Sequence, residues 1–233
     1  MNNNPEIFDG STAGVNSFFT KMYGYMGVAV AISALTAYIG SYSETVIRIM
    51  SNPIALIGVF VIQMIMAYSM SSLKSQRSPL VSALGLFGFA ALEGLLFSGI
   101  FIVYTAQDIT SAFVAAVVMF AVLAFMGMTT KKDLSGIGRQ AMAALIALII
   151  VSIINMFLRS PMISYVFSFI GLVIFMGLTA WDTQRLRQMY LQMGSQVNIN
   201  NLALMGALQL YLDFINIFLN LLNIFAGVGG SRD

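Results

Sequence analysis

Residues 202–227, LALMGALQLYLDFINIFLNLLNIFAG, form an apolar run long enough to cross a bilayer, yet one side of it is polar from end to end. Gln209, Asp213, Asn216, Asn220 and Asn223 follow one another at intervals of four, three, four and three residues. At 100° per residue those side chains fall in a strip roughly 80° wide, so the run reads as a helix with one polar face. In hydrocarbon an unpaired polar group costs several kcal/mol. That face is therefore expected to look inward, with the other segments packed around this helix.

The composition agrees with a membrane protein. Of 233 residues 59% are hydrophobic and 9% charged, and the mean hydropathy is +0.88, which a water-soluble fold could not cover with polar surface. The net charge of +2 is spread over short loops, so no basic face for nucleic acid is expected. The absence of Cys removes disulfides and thiolate chemistry. The absence of His removes the commonest general base and transition-metal ligand, and with them a Ser and His intramembrane hydrolase. No phosphate-binding GxxxxGK[ST] loop is present, and no cofactor is expected.

Seven apolar runs near the ~20 residues needed to span the bilayer predict an all-α membrane protein with seven transmembrane helices and the last one central. They cover Met22–Tyr42, Pro53–Met70, Leu80–Tyr104, Thr110–Thr129, Gln140–Leu158, Met162–Asp182 and Leu202–Ala226. Residues 1–21 read as a cytoplasmic tail with no signal peptide, 22–226 as one seven-helix domain, and 227–233 as a short C-terminal tail. Eight Lys and Arg residues fall on one side of the predicted membrane and three on the other. This places the N-terminus in the cytoplasm and, with seven spans, the C-terminus outside. A re-entrant hairpin in the last segment would instead give six spans. No internal repeat is evident, and the short tail and compact loops suit a bacterial plasma membrane.

Three acidic residues fall within the predicted spans: Glu93, Asp182 and Asp213. An ionisable group there costs from ~2.5 kcal/mol upward unless it is partnered, so each is a candidate for function. Asp182 and Asp213 are 31 residues apart, and the midpoint of that interval lies at Val197 and Asn198 in a polar connection. If the sixth helix runs on to about Met193 and the seventh starts near Leu202, each carboxyl lies about 16–17 Å from the turn. The two then reach the same depth on antiparallel neighbours. Two carboxyl groups in contact in a poorly solvated site share a proton and titrate together, and when ionised they offer hard oxygen ligands to a transient calcium ion. Asp182, one turn from Arg185, also has a reading as half of a surface ion pair. Gln209, Asn216 and Asn220 are candidate cavity or pore residues, with interhelical hydrogen bonding as the plainer reading. Glu93 lies beside Gly94 and Ser98, a small-residue face, and either lines the same cavity or is structural. Two Asp residues on consecutive spans are also the minimum for a di-aspartyl protease, but WD, YLD and no Pro after Pro161 differ from that pattern of YD, GxGD and PAL. No enzymatic activity is expected.

Four stretches resemble the Bax inhibitor-1, or transmembrane Bax inhibitor motif, family and its bacterial members: LQLYLDFINIFLNLLNIF at 208–225, TAWDTQRL at 179–186, TKKDLS at 130–135 and LEGLLFSG at 92–99. The resemblance implies a seven-helix fold with the last helix central. It also implies a pH-sensitive calcium leak governed by an aspartate pair, matched here by Asp182 in TAWD and Asp213 in LYLD. A bacterial member is similar in having a basic cluster after the second helix with an Arg that latches the pair. Here that region reads MSSLKSQRSP, which differs in length and charge, and Arg77 or Lys74 is the candidate latch. The family is also associated with protection from stress and with restraint of a membrane-bound AAA protease. The expected partners are thus the lipid bilayer, calcium and protons. The alternative is a non-transporting regulator that binds such a protease or a stress or cell-death partner.

Overall fold

The computed structural model describes residues 9–71, 78–158, 160–193 and 196–229. Among them the chain is helical, without strands. The elements are α1 (Thr12–Ser41), α2 (Glu44–Met50), α3 (Pro53–Ser71), α4 (Pro79–Leu96), a 3-10 turn at Phe97–Gly99, α5 (Ile100–Val103), α6 (Ala106–Thr129), α7 (Ser135–Leu158), α8 (Pro161–Met193) and α9 (Ile199–Gly229). Seven helices are long and apolar enough to cross a membrane, the third formed by Pro79–Val103 with its 3-10 turn.

Small polar residues set where these helices start. The Oγ atoms of Ser43 and Ser78 accept from the amides of Val46 and Val81, and Asn52 Oδ1 accepts from Ile54 at 2.9 Å. Thr105 and Asp108 close a reciprocal cap on α6. Such caps satisfy amides that have no partner within the helix. Pro53, Pro79 and Pro161 each stand first in their helix, where a missing N–H costs nothing.

Two boundaries differ most from the hydropathy reading. α1 starts at Thr12 rather than Met22, because Ser11 caps it and Phe18 and Phe19, each 2% exposed, pack inward. Asn16, Ser17, Thr20 and Lys21 lower the hydropathy of that turn without breaking it. α8 runs past Asp182 to Met193, with Leu186 and Tyr190 buried. α9 is one uninterrupted helix from Ile199 to Gly229, so the polar strip does not mark a re-entrant hairpin.

The chain gathers into two compact units. The first holds residues 1–103 and 188–211. In it α1 and α4 cross closely at Gly94, where any side chain would strike the Ser33 backbone and the Thr36 hydroxyl. The second holds residues 104–187 and 212–233. There Gly127 of α6 abuts Ala180 and Thr183 of α8, and Phe113 and Phe120 of α6 meet Phe214 of α9 edge-on. Small residues serve these crossings because lipid supplies no hydrophobic drive between helices, and close packing must hold them together. Burial separates the spans: 72% of an 18-residue apolar stretch of the last one is enclosed, against 6% of such a stretch in Pro53–Met70 and in Ser135–Asn155. α9 is thus the inner helix, and α3 and α7 present their apolar side chains outward.

Candidate functional site

The turn between α8 and α9 closes where the two carboxylates require it. Met193 O accepts from the amides of Gln196 at 2.9 Å and Val197 at 3.2 Å, and Asn198 Oδ1 then caps α9 through Asn200 and Asn201. Returning from this turn, α9 brings the Asp213 carboxyl into hydrogen-bonding contact with that of Asp182. Each residue is 4% exposed. Such burial removes the reading of Asp182 as part of a surface ion pair. Arg185, on the exposed side of α8, sits with its guanidinium 5.3 Å from the centroid of the Trp181 ring.

The surroundings of Asp182 are nearly all enclosed. Thr179 and Thr183 are 0% exposed, and their hydroxyls donate to Phe175 O at 2.7 Å and Thr179 O at 2.8 Å. Those protons are committed to the helix itself. Trp181 covers Gly138 of α7, which has no room for a Cβ. Gln184 holds the 130–135 loop at both ends of its amide: Oε1 accepts from Leu134 N at 2.9 Å and Nε2 donates to Lys132 O at 2.8 Å. The TAWDTQRL and TKKDLS stretches therefore meet in space. Sequence reading missed Gln184, because a polar residue near a helix end looks like ordinary surface.

The polar strip of α9 is not its most enclosed face. Asn201, Met205, Gln209, Leu212, Asn216, Leu219 and Asn220 are half-buried and Asn223 is exposed, whereas the side chains around the rest of this stretch are nearly all buried. At 100° per residue the accessible line is roughly 100° wide, and Asp213 lies at its edge on the buried side. The expectation that the whole polar face turns inward is corrected accordingly. Amide-rich positions at membrane depth are tolerated where they line a wet crevice or contact protein. Interhelical hydrogen bonding does not describe Asn216 and Asn220 well either. Asn216 and Asn220 donate to Leu212 O at 2.8 Å and Asn216 O at 2.7 Å in their own helix. Asn220 fits against Gly171 of α8, and Asn223 accepts from the Tyr104 hydroxyl at 3.0 Å.

Glu93 belongs elsewhere. Its Oε2 accepts from the side-chain amide of Gln63 on α3, and it lies near Tyr211 of α9. Tyr211 is two residues from Asp213, a turn of 200°, so the two side chains leave α9 on opposite faces. Glu93 does not join the strip. Gln63 and Ser33, both buried, were further residues that sequence reading passed over. The candidate latch residues Lys74 and Arg77 lie outside the described residues.

Among the described residues no cluster of three or more Asp, Glu, His or Cys is placed to hold a metal. The aspartate pair offers two carboxylates where calcium takes six to eight oxygens.

The family model described as "Inhibitor of apoptosis-promoting Bax1" matches residues 15–230. The chain belongs to the Bax inhibitor-1 family. It is 38% identical over 216 residues to the inner membrane protein YbhL of Escherichia coli K12, covering 91% of this chain and 92% of that one. A Lactococcus lactis protein, YrjE, is 40% identical over the full length of both chains. A membrane protein of Streptococcus pyogenes serotype M1 is 36% identical over 226 residues, covering 96% of this chain and 98% of that one. The Bax inhibitor-1 match reaches all seven spans, omitting only the first three residues of α1, and covers both aspartates. It identifies an integral membrane protein whose relatives include a bacterial inner-membrane protein.

Proposed function

We propose that this chain is a passive, pH-sensitive leak for calcium, in which a proton shared by Asp182 and Asp213 controls passage. The observation that carries this reading is the contact between the two carboxyls, each 4% exposed, at the edge of the accessible polar line of α9. With one proton between them the pair bears a single negative charge and a strong hydrogen bond. Loss of that proton sets two anions side by side in a poorly solvated place. Either the helices separate or a divalent cation enters between them. Both outcomes join proton release to a change at the same point on the line. The amides of Gln209, Asn216 and Asn220 would then offer neutral oxygens to a partly hydrated ion, holding it weakly enough to leave. The Lys and Arg count supports a cytoplasmic N-terminus and an external C-terminus in a bacterial plasma membrane.

The test is calcium flux into proteoliposomes over a pH series. The parent protein is compared with Asp182→Asn, Asp213→Asn and the double substitution. The parent should show a flux that depends steeply on pH, and the double substitution should flatten that dependence. Flux absent at every pH, or a pH dependence that survives in the double variant, overturns the proposal. The first result would favour a non-transporting regulator that binds a membrane protease or a stress partner.

A further inference from the structure

The leak leaves Glu93 without a task. It lies half-buried on α4, beside Gly94, where α4 crosses α1 too closely for a side chain at that position. Its Oε2 accepts from the Nε2 of Gln63, and Gln63 itself is 5% exposed. Tyr211, 0% exposed, lies near it on α9.

The Tyr211 hydroxyl is not free to help an anion. It meets Ser33 Oγ at 2.6 Å, and that same Oγ lies 2.8 Å from Ala90 O and 3.1 Å from Ala29 O. A hydroxyl has one proton to give, and backbone carbonyls can only accept. Ser33 therefore donates to a carbonyl and Tyr211 donates to Ser33. Among the described residues, the hydrogen bond that Glu93 receives comes from Gln63. A buried carboxylate is stabilised as an anion by two or three such donors or by a cation.

Nor, among the described residues, does a buried cation face it from the helices around it: α2, which packs against α3 and α4, carries Glu44 and Arg48, and both are exposed. α3 carries no charged residue, Glu93 is the one charged residue of α4, and Asp213, on the opposite face of α9 from Tyr211, is the one charged residue of that helix within Ile199–Gly229. On α1 the charged residue is Lys21, which lies 12 residues before Ser33, about 18 Å along the helix. An unpaired carboxylate at this depth would cost from ~2.5 kcal/mol upward.

From this geometry we propose that Glu93 is a second proton-binding site, separate from the aspartate pair, which holds its carboxyl as the neutral acid at neutral pH with Gln63 as its positioning residue. Binding is simple proton uptake by the carboxylate. Releasing the proton leaves between α3, α4 and α9 a charge with no cationic partner among the described residues, so the first unit has its own pH-dependent transition. The aspartate pair takes no part in this, and the site stands whether or not the chain conducts calcium.

Infrared spectroscopy of the protein in lipid nanodiscs reads the site directly through the carbonyl stretch of a protonated carboxyl. Glu labelled with carbon-13 in the unsubstituted chain separates Glu from Asp, and the other two glutamates are Glu6 and Glu44. At neutral pH a protonated-carboxyl band should move on Glu labelling, persist in Asp182→Asn/Asp213→Asn, and vanish in Glu93→Gln. Gln63→Leu should move the band by removing the hydrogen bond. A protein with no protonated band sensitive to Glu labelling at neutral pH overturns the proposal, as does a band that survives Glu93→Gln. The labelled parent decides the matter even if a variant does not fold.

Discussion

Replacing Gly127 by Ala should destabilise the protein, although Ala is the better helix former. The added Cβ would stand 2.9 Å from Thr183 Cβ and nearer still to the Ala180 carbonyl oxygen. Ordinary carbon contact begins near ~3.5 Å, so α8 must retreat from α6 by at least about 0.6 Å. Neither obstacle is the far end of a flexible chain. Overpacking of this kind costs about 1–3 kcal/mol, against a gain of up to about 1 kcal/mol from helix propensity. The expected net loss is up to about 2 kcal/mol. Gly58 of α3 is the control, because it is exposed and a Cβ there meets nothing within 4 Å. Gly58→Ala should be neutral or stabilising by up to about 1 kcal/mol. Thermal unfolding of the purified proteins in detergent compares the two. A Gly127→Ala protein that melts at or above the parent temperature would refute the reading of that crossing. Ala180 and Thr183 flank Asp182, so the same variant should also shift the pH midpoint of calcium flux.

Gln184→Leu should free the 130–135 loop. It leaves the Leu134 amide without its acceptor, a loss of about 1–3 kcal/mol for a buried donor, and faster hydrogen exchange at Leu134 with little change in α9 would show it; unchanged exchange would argue against the clamp. Asp133 should give the same loop an acid-sensitive element. Its carboxylate accepts from the Ser135 amide at 2.9 Å and the Ser135 hydroxyl at 2.8 Å, and the amide chiefly, then the hydroxyl and the more distant Arg139 charge, lower its pKa. A lowered folded-state pKa means that the contribution is complete above the ordinary carboxylate range and is lost as pH falls through the lower folded value. Protection of the Ser135 amide should fall in that acidic window and become pH-independent in Asp133→Asn.

How far the sequence could be read depended on the range of the interaction. Hydropathy locates the seven spans because the bilayer sets their length. It misplaces the start of α1, where Phe18 and Phe19 are buried beside polar neighbours that a running average cannot separate. The contact of Asp182 with Asp213 could be anticipated because a short turn between antiparallel helices fixes depth by counting residues. The pairing of Glu93 with Gln63 gave no such signal. Those residues are 30 positions apart on successive helices, and counting residues along two helices gives depth but not rotation.

The sequence alone determined that this is an all-α membrane protein of seven spans, that α9 carries a polar strip, and which two aspartates a tight hairpin would bring level. These follow from periodicity, segment length and local reach. Only the tertiary structure decided which way each polar group turns. Asp213 goes into the buried contact with Asp182, while Gln209, Asn216 and Asn220 stay along the accessible line. Tyr211 leaves the same helix on the opposite face, toward Ser33 and Glu93. The reason is rotational: a helix places its side chains around its own axis, but the neighbours it packs against decide which of them meet lipid, water or protein.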